Sequence, residues 1–128
     1  MSFSIFAAAL DAADLLATLR DDGPYTVFAP TDEAFASLPV GTVEYLFKPE
    51  NKAILKCVIK YHLVHGKITA EQIAECSEIQ ALNSEVLSVT AKHGKVMVDR
   101  ATIVAENIEC SNGFVHGIDL VAVPKRWV

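Results

Sequence analysis

The stretch GPYTVFAPTDEAFASLP, residues 23–39, decides the fold because it joins a strand, a stop and a helix start without a spacer. The β-forming residues at positions 25–29 predict a strand. Pro30 cannot donate to a strand ladder and ends it, and Thr31 is a suitable N-cap for a short helix. Asp32 lies in the first turn of that helix, where the helix dipole favours negative charge. A strand end and a helix cap explain these polar residues more simply than a reactive site does.

Helical patterns fill most of the first half of the chain, and strand patterns fill the second. The predicted helices span residues 2–20, 31–36, 43–47 and 69–75, with a longer one that starts at residue 48 and has an apolar face at 54, 55, 58 and 59. The predicted strands span residues 25–29, 61–64, 86–91, 95–98, 102–105 and 114–123. Thr69 and Gln72 resemble a capping box, and His93-Gly94 is a hairpin turn. The segregation predicts an α+β fold rather than a parallel βαβ sheet.

Length and composition predict one globular domain over residues 1–128. The chain has 52% apolar and 21% charged residues, and a chain of this length buries roughly two thirds of its unfolded surface. No apolar run reaches the ~18 residues of a transmembrane helix. The first 20 residues have helical spacing and two internal aspartates rather than the pattern of an export signal. We therefore expect either a cytoplasmic protein or a chain from which an export signal has been removed.

The formal net charge of −5 disfavours nucleic acids and anionic membranes as partners unless the basic residues cluster. Along the sequence they cluster only at Lys125-Arg126. The three cysteines, Cys57, Cys76 and Cys110, are an odd number without C-x-x-C spacing. We interpret all three as small apolar residues in or near a core.

Candidate catalytic and metal-binding residues do not form a recognisable site in the sequence. His62 and His65 lie three apart on a predicted strand, so they face opposite sides and cannot share a metal ion. We predict that His62 is structural, tied to a backbone or side-chain acceptor, and that His65 is an exposed turn residue. His116 and Asp119 also lie three apart on the last predicted strand. Neither a nucleophile elbow nor a glycine-rich phosphate loop is present, so we predict no enzyme, metal or cofactor site.

Three motifs in register resemble the fasciclin-like domain family, also called the β-Ig-H3/fasciclin family. Residues 23–39 resemble its first homology box, YHLVHGK at 61–67 its tyrosine-histidine segment, and SNGFVHGIDLVAVP at 111–124 its second homology box. The order and spacing of the motifs also match, and the resemblance covers essentially the whole chain. This compact single domain resembles the prokaryotic members of the family.

The resemblance implies a fold in which two antiparallel β-sheets form a wedge with several helices packed on it. It also implies that the strands of the two boxes lie together at the centre, so that the opening stretch is a packing device. Within the boxes, Val27, Phe28, Phe35, Val115 and Ile118 are expected to be largely buried. The box residues expected to be structural are Thr26, Val27, Phe28, Ala29, Pro30, Thr31, Phe35, Tyr61, His62, Asn112, Gly113, Val115, His116, Ile118 and Asp119.

For function, the resemblance implies a non-catalytic module that mediates adhesion or protein interaction. Its location would be extracellular, at the cell surface or periplasmic, and its partner a protein or a cell-surface or matrix component. The alternative hypothesis is a carrier or sensor that binds a small apolar ligand or a carbohydrate. The first hypothesis predicts an exposed apolar or mixed patch, and the second an enclosed pocket.

The interaction residues of the family are only partly present. In some animal relatives an Asp-Ile pair just before the second box is implicated in receptor binding, and the matching residues here are Asn107 and Ile108. With Glu109 they fall in residues 105–113, which we predict to be a loop between strands and a possible interaction site. The alternative interaction surface is the helical face at residues 43–47.

Overall fold

Helices occupy most of the first half of the chain and strands most of the second, as predicted. The structure is a computed structural model that describes residues 3–15, 24–66, 68–82, 85–92, 94–110 and 113–121, with the backbone alone at 106–110. The described helices are α1 (Ser4–Ala12), α2 (Asp32–Ala36), α3 (Thr42–Phe47), a 3-10 turn (Pro49–Asn51), α4 (Lys52–Lys60) and α5 (Ala70–Ala74). The described strands are β1 (Tyr25–Pro30), β2 (Leu63–His65), β3 (Glu78–Gln80), β4 (Val86–Lys92), β5 (Lys95–Val98), β6 (Ala101–Cys110) and β7 (Gly113–Ile118).

The strands form a sheet in the order β2-β1-β7-β6-β5-β4-β3, and the helices pack on it. The pair β1–β7 is parallel, from Tyr25 opposite Gly113 to Pro30 opposite Ile118, whereas the other pairs are antiparallel. The parallel pair departs from the expected antiparallel sheets because the whole of the intervening chain, rather than a hairpin, connects its strands. The α+β class is confirmed, and the two boxes lie side by side as the resemblance implies.

The strand β1 separates two apolar clusters and is buried along its whole length. Successive side chains of a strand point to opposite faces, and here the two faces meet different cores. The helix-side cluster includes Phe6, Leu10, Val27, Ala29, Phe35, Leu55, Ile59 and Leu63. The sheet-side cluster includes Phe28, Tyr61, Ile73, Leu87, Val98 and Ile118. Burial on both faces explains why the strand does not alternate apolar with exposed polar residues; its one polar side chain, Thr26, is buried.

Local capping and turn signals are confirmed. The Thr31 hydroxyl accepts a hydrogen bond from the Ala34 amide at 3.1 Å at the start of α2. Thr69 and Gln72 form a full capping box at the start of α5. The hairpin between β4 and β5 turns at Gly94, whose φ of 76° is in the left-handed region that glycine adopts without strain. Each of these signals acts within a few residues.

The first helix differs from its prediction at both ends. Phe3 rather than Ser2 occupies the N-cap, and α1 ends at Ala12. Asp14, at φ 59°, then takes a left-handed conformation. The apolar positions beyond Ala12 continued the helical spacing, so periodicity alone extended the helix too far. The predicted end at residue 20 lies outside the described residues.

The start of β2 is also later than predicted. The Tyr61 amide still donates to the Cys57 carbonyl at 3.1 Å, and the His62 amide donates to Ile59 at 2.9 Å. Tyr61 and His62 therefore end α4 instead of beginning a strand, so the predicted strand start at residue 61 is wrong. Both side chains are buried.

The predicted loop at residues 105–113 is wrong because β6 continues to Cys110. Its pairing with β7 shifts register between Ile103 and Ala105 and again between Ala105 and Ile108. Such irregularities break the two-residue alternation by which a strand is recognised in sequence. Asn107, Ile108 and Glu109 thus lie on a strand within the sheet.

Candidate functional site

The two family boxes meet at the parallel pair β1–β7, where glycine permits a close approach. A Cβ atom on Gly113 would overlap the carbonyl oxygen of Tyr25 and lie 2.8 Å from its carbon. Gly113 also has a φ of 144°. At the other end of β7, a Cβ on Gly117 would lie 2.9 Å from the Phe3 ring. These two positions let backbone and helix pack directly against β7.

Buried polar groups tie this pair to the segment after β2. The Thr26 hydroxyl donates to the Gly66 carbonyl at 2.6 Å and accepts from the Ile68 amide at 2.9 Å. His116 Nε2 donates to the Ile68 carbonyl at 2.9 Å, and its ring lies 5.9 Å from that of Phe28. Thr26 and His116, one from each box, thus bind the same backbone residue. This convergence has no local signature in the sequence.

The Tyr61 side chain links the end of α4 to the turn between β5 and β6. The Tyr61 hydroxyl donates to Asp99 Oδ2 at 2.7 Å, and Asp99 Oδ1 accepts from the Ser88 amide at 3.0 Å. Burial, with the Asp99 carboxylate as a further cause, raises the pKa of Tyr61 above its ordinary value. Tyr61 therefore stays a hydrogen-bond donor at physiological pH and fastens α4 to the β5–β6 turn.

His62 is a buried, neutral side chain that holds the end of α4. Its Nδ1 donates to the Val58 carbonyl at 2.8 Å, and its ring meets Phe6 edge-on at 5.9 Å. Burial lowers the pKa of His62 to about 4, although the bond to Val58 opposes that shift. The sequence predicted a backbone or side-chain acceptor for His62, and the acceptor is a backbone carbonyl. His65 is exposed, as predicted, but it is the last residue of β2 and not a turn residue, and its ring centroid lies 5.1 Å from that of Tyr25.

Acidification is expected to destabilise the protein through His62. Because its folded pKa of about 4 is below the ordinary 6.5, the unfolded state binds more protons between these values. Stability is therefore fully present above pH 6.5 and falls as the pH is lowered towards 4. At 1.36 kcal/mol per unit, His62 should make the free energy of unfolding about 2 kcal/mol lower at pH 5 than at pH 7. Urea denaturation at the two pH values measures the difference.

The variant His62→Gln should lose this component of the pH dependence, whereas His65→Gln, at an exposed position, should keep it. An unchanged pH dependence in folded His62→Gln would show that the burial of His62 is not its source.

Two other predicted residues lie elsewhere than expected. Asp119 follows β7 instead of forming part of it, and its Oδ1 accepts from the Thr102 amide at 2.8 Å. Val115 is half-buried rather than largely buried, since the side chains over its end of the helix-side cluster, such as Phe3, are themselves only partly buried. Val27, Phe28, Phe35 and Ile118 are buried as predicted. Asn112 lies outside the described residues.

The cysteines and acidic residues do not form an evident reactive centre in the part of the chain that the structure describes. Cys57 is half-buried, but Cys76 is exposed, contrary to the prediction that it lies near a core. Helix α5 ends at Ala74, so Cys76 falls in the connection that follows it. No group of three or more His, Cys, Asp or Glu among the described residues could hold a metal ion. None of the described helices has the length and apolarity to span a bilayer.

An exposed apolar ridge projects from the helical side at residues 38–47. Val40 is fully exposed and Tyr45 about half exposed, at 49%. Gly41, with φ 88°, makes the turn between them, and its carbonyl accepts from the Tyr45 amide at 2.9 Å. Leu46 is buried and anchors the ridge. Part of it, residues 43–47, is the alternative interaction surface suggested by the sequence.

Comparisons with known proteins agree on the family and the fold. The family model of the fasciclin domain matches residues 1–124. The Synechocystis protein sll1483 is 49% identical over 123 residues, which are 96% of this chain and 68% of that protein. Transforming growth factor-beta-induced protein ig-h3 from Sus scrofa is 35% identical over 122 residues, 95% of this chain but 18% of that protein.

Among solved structures, the fasciclin domain pair of the insect cell adhesion molecule fasciclin I has a TM-score of 0.59 at 19% identity. The match covers 93% of this chain and 42% of that one. The similarity to this solved structure shows the fold. The match of the family model over nearly all of the sequence shows the family. The chain belongs to the fasciclin domain family.

Proposed function

We propose that this domain is a non-catalytic adhesion or protein-interaction module that acts outside the cytoplasm. Its partner would be a protein or another component of a cell surface or matrix. Family membership supports the class of function, and the solved relative with this fold is, by its own description, a cell adhesion molecule. The chain corresponds to one part of much longer proteins such as ig-h3, of which it covers 18%.

The observation that carries the proposal is the exposed ridge. A fully exposed valine and a half-exposed tyrosine lie on one short segment, which is the kind of exposed apolar surface expected of an interaction module. Tyrosine offers a large, rigid contact area and a polar tip, which is why it is enriched at interface hot spots. The ridge is held by Leu46 and by the turn at Gly41, so little of it must become ordered on binding.

The box residues support a non-catalytic role because their polar atoms stabilise the backbone. His62, His116 and Tyr61 are buried and donate to Val58, Ile68 and Asp99. A general acid or base must instead reach a substrate proton. The function of these side chains is therefore to hold the helices, β1 and β7 in place.

Attachment through the ridge is the testable consequence. The purified domain is coated on beads, and the attachment of cells or matrix from the source of the protein is measured. The double variant Val40→Ser/Tyr45→Ser should reduce the apparent affinity at least about tenfold, since hot-spot side chains contribute about 2 kcal/mol or more. The stability of both proteins should be similar because both side chains face solvent.

Two matched variants locate the surface. Val104→Ser/Leu120→Ser changes two exposed apolar side chains elsewhere and should leave attachment unchanged. Ile108→Ser/Glu109→Lys tests the predicted interaction residues on β6. Loss of attachment in that variant, with the ridge variant unaffected, would move the interface to β6. If the wild-type domain attaches to nothing but carries an extractable small ligand, the carrier hypothesis replaces this one.

A further inference from the structure

The charges of this chain are distributed very unevenly. Residues 51–70 contain four lysines and no acidic residue. The remainder of the chain has seven basic and 16 acidic residues, a formal charge of −9. The net charge of −5 therefore conceals one positive segment on an acidic protein. A local field of this kind, rather than the net charge, governs which ligands approach a given surface.

Helix α4 aligns three of these lysines on one side. Lys52, Lys56 and Lys60 are four residues apart, so they follow one another along the helix with about 6 Å of axial rise per step. The buried side of the helix carries Leu55, Val58 and Ile59, and beside it Lys52 is exposed while Lys56 and Lys60 are half-buried. We refer to Lys52, Lys56 and Lys60 as the lysine face. This alignment is not visible as a run of adjacent basic residues, because neighbours on a helix surface are three or four apart in the sequence.

Local structure accounts for only part of the lysine face. Lys52 pairs with Asp14, which lowers the pKa of that carboxyl. Lys60, in the last turn, complements the helix dipole. No ion pair forms at Lys56 among the described residues, and its positive neighbours at i−4 and i+4 cost about 0.2–0.5 kcal/mol per pair. Local structure thus accounts for Lys52 and Lys60, whereas Lys56 contributes only its charge near the same Asp14 carboxyl, whose pKa it helps to lower.

A half-exposed aromatic side chain lies on α3, the helix that precedes α4. Lys48 and the 3-10 turn connect Tyr45 to the first residue of α4. The Asn51 side chain donates to the Tyr45 carbonyl at 2.7 Å, which fixes the end of α3 against the beginning of α4. The half-exposed tyrosine ring and the lysine face therefore belong to neighbouring, rigidly joined elements. A flat apolar ring beside a row of cations is suited to a ligand with both apolar faces and regular negative charge.

We propose that the lysine face with Tyr45 binds a linear carboxylated polysaccharide, a polyuronate. The carboxylates would pair with Lys52, Lys56 and Lys60, and a sugar ring would pack on Tyr45. A linear array of single charges fits a linear polymer better than a compact anion. The remainder of the chain has a formal charge of −9. It repels a polymer of moderate charge density less than it repels a nucleic acid. This inference rests on the proposed adhesive function and names the chemistry of one partner.

The test uses polygalacturonate oligomers and their methyl esters, which have the same backbone without the charge. Binding to the intact domain is measured by isothermal calorimetry or fluorescence anisotropy. We expect binding of the acid form alone and a loss of affinity between about 50 and 200 mM salt, because binding to a charged polymer releases its condensed counterions. Lys56→Gln/Lys60→Gln should weaken binding at least about tenfold, because each lysine near an anionic surface contributes about 1 kcal/mol.

Two further variants sharpen the test. Lys92→Gln/Lys95→Gln makes the same change in net charge on the β4–β5 hairpin and should bind normally. Asp14→Asn releases Lys52 and removes a negative charge, so it should strengthen binding several-fold. A gain of affinity is not expected from damage to the fold.

The proposal is overturned if the methyl ester binds as well as the acid, or if both lysine pairs matter equally. Tighter binding of poly-glutamate or of a single-stranded oligonucleotide would replace the polysaccharide by that class of polymer. Cell attachment that persists in Lys56→Gln/Lys60→Gln while polygalacturonate binds neither protein would refute this inference and leave the adhesive function intact. Polygalacturonate binding without any cell attachment would refute the adhesive function instead.

Discussion

Replacing Gly113 by alanine is expected to lower the free energy of unfolding by more than about 4 kcal/mol, which places it among exceptional single substitutions. A Cβ atom at this position would overlap the Tyr25 carbonyl, to which β7 is joined as the parallel partner of β1. The obstacle is backbone rather than a flexible side chain, so relief requires the two strands to separate. Since this pair connects both homology boxes, the damage should affect both apolar clusters. Urea denaturation, or the yield of folded protein, measures the effect.

Gly94→Ala is the matched control for this substitution. Gly94 also has a positive φ, 76°, but a Cβ there would meet no atom within 4 Å. It should therefore cost only the strain of the left-handed conformation, about 1–2 kcal/mol. If Gly113→Ala were no more destabilising than Gly94→Ala, the close approach of β7 to Tyr25 would not be a constraint in solution.

The features predicted correctly from sequence are those set by a few neighbouring residues. The Thr31 cap, the Thr69 capping box and the hairpin turn at Gly94 all satisfy their hydrogen bonds or conformations locally. Their agreement with the structure reflects the physics of helix ends and tight turns, which does not depend on the rest of the chain. The family resemblance contributed the adjacency of the two boxes, which no local pattern contains.

The errors arise where packing overrides a pattern. At Tyr61 the apolar residues fit a strand, but bonds to Cys57 and Ile59 carry the helical turn further. In β6, irregular pairing beyond Ile103 removes the alternation that would have marked the strand. The parallel contact between β1 and β7 is also missed by short sequence windows, because its two strands are far apart in the chain.

The candidate site shows the same division. That His62 binds a backbone acceptor was predictable, because a buried histidine must satisfy its ring nitrogens. That Thr26 and His116 meet at Ile68 was not, because 42 and 48 residues separate them from it. The lysine face was legible in principle as an i, i+4, i+8 pattern on a helix. The net charge of the chain hides it, because these lysines are summed with acidic residues that lie elsewhere in the sequence.

Truncating Phe35 to alanine is expected to lower the free energy of unfolding by about 3–5 kcal/mol, as for other buried aromatic side chains. Phe35 is buried in the helix-side cluster, on a helix of five residues that has little stability of its own. That helix reaches the first helix through Asp32, whose Oδ1 accepts from the Ile5 amide at 2.9 Å. A cavity beneath α2 would therefore weaken its docking on β1 and its contact with α1 together.

Tyr45→Ala is the control, since it removes an aromatic side chain of similar size that is half exposed. It should cost about 1 kcal/mol or less, because most of the lost surface was already in water. Thermal and chemical denaturation of the two variants give the comparison. If Phe35→Ala lowers the free energy of unfolding by less than about 1 kcal/mol, α2 must be able to move inward and close the cavity. The short sequence between Pro30 and Phe35 would then set the direction of the chain and contribute little to packing. The end of β1 and the Thr31 cap would hold α2 in place without the Phe35 side chain.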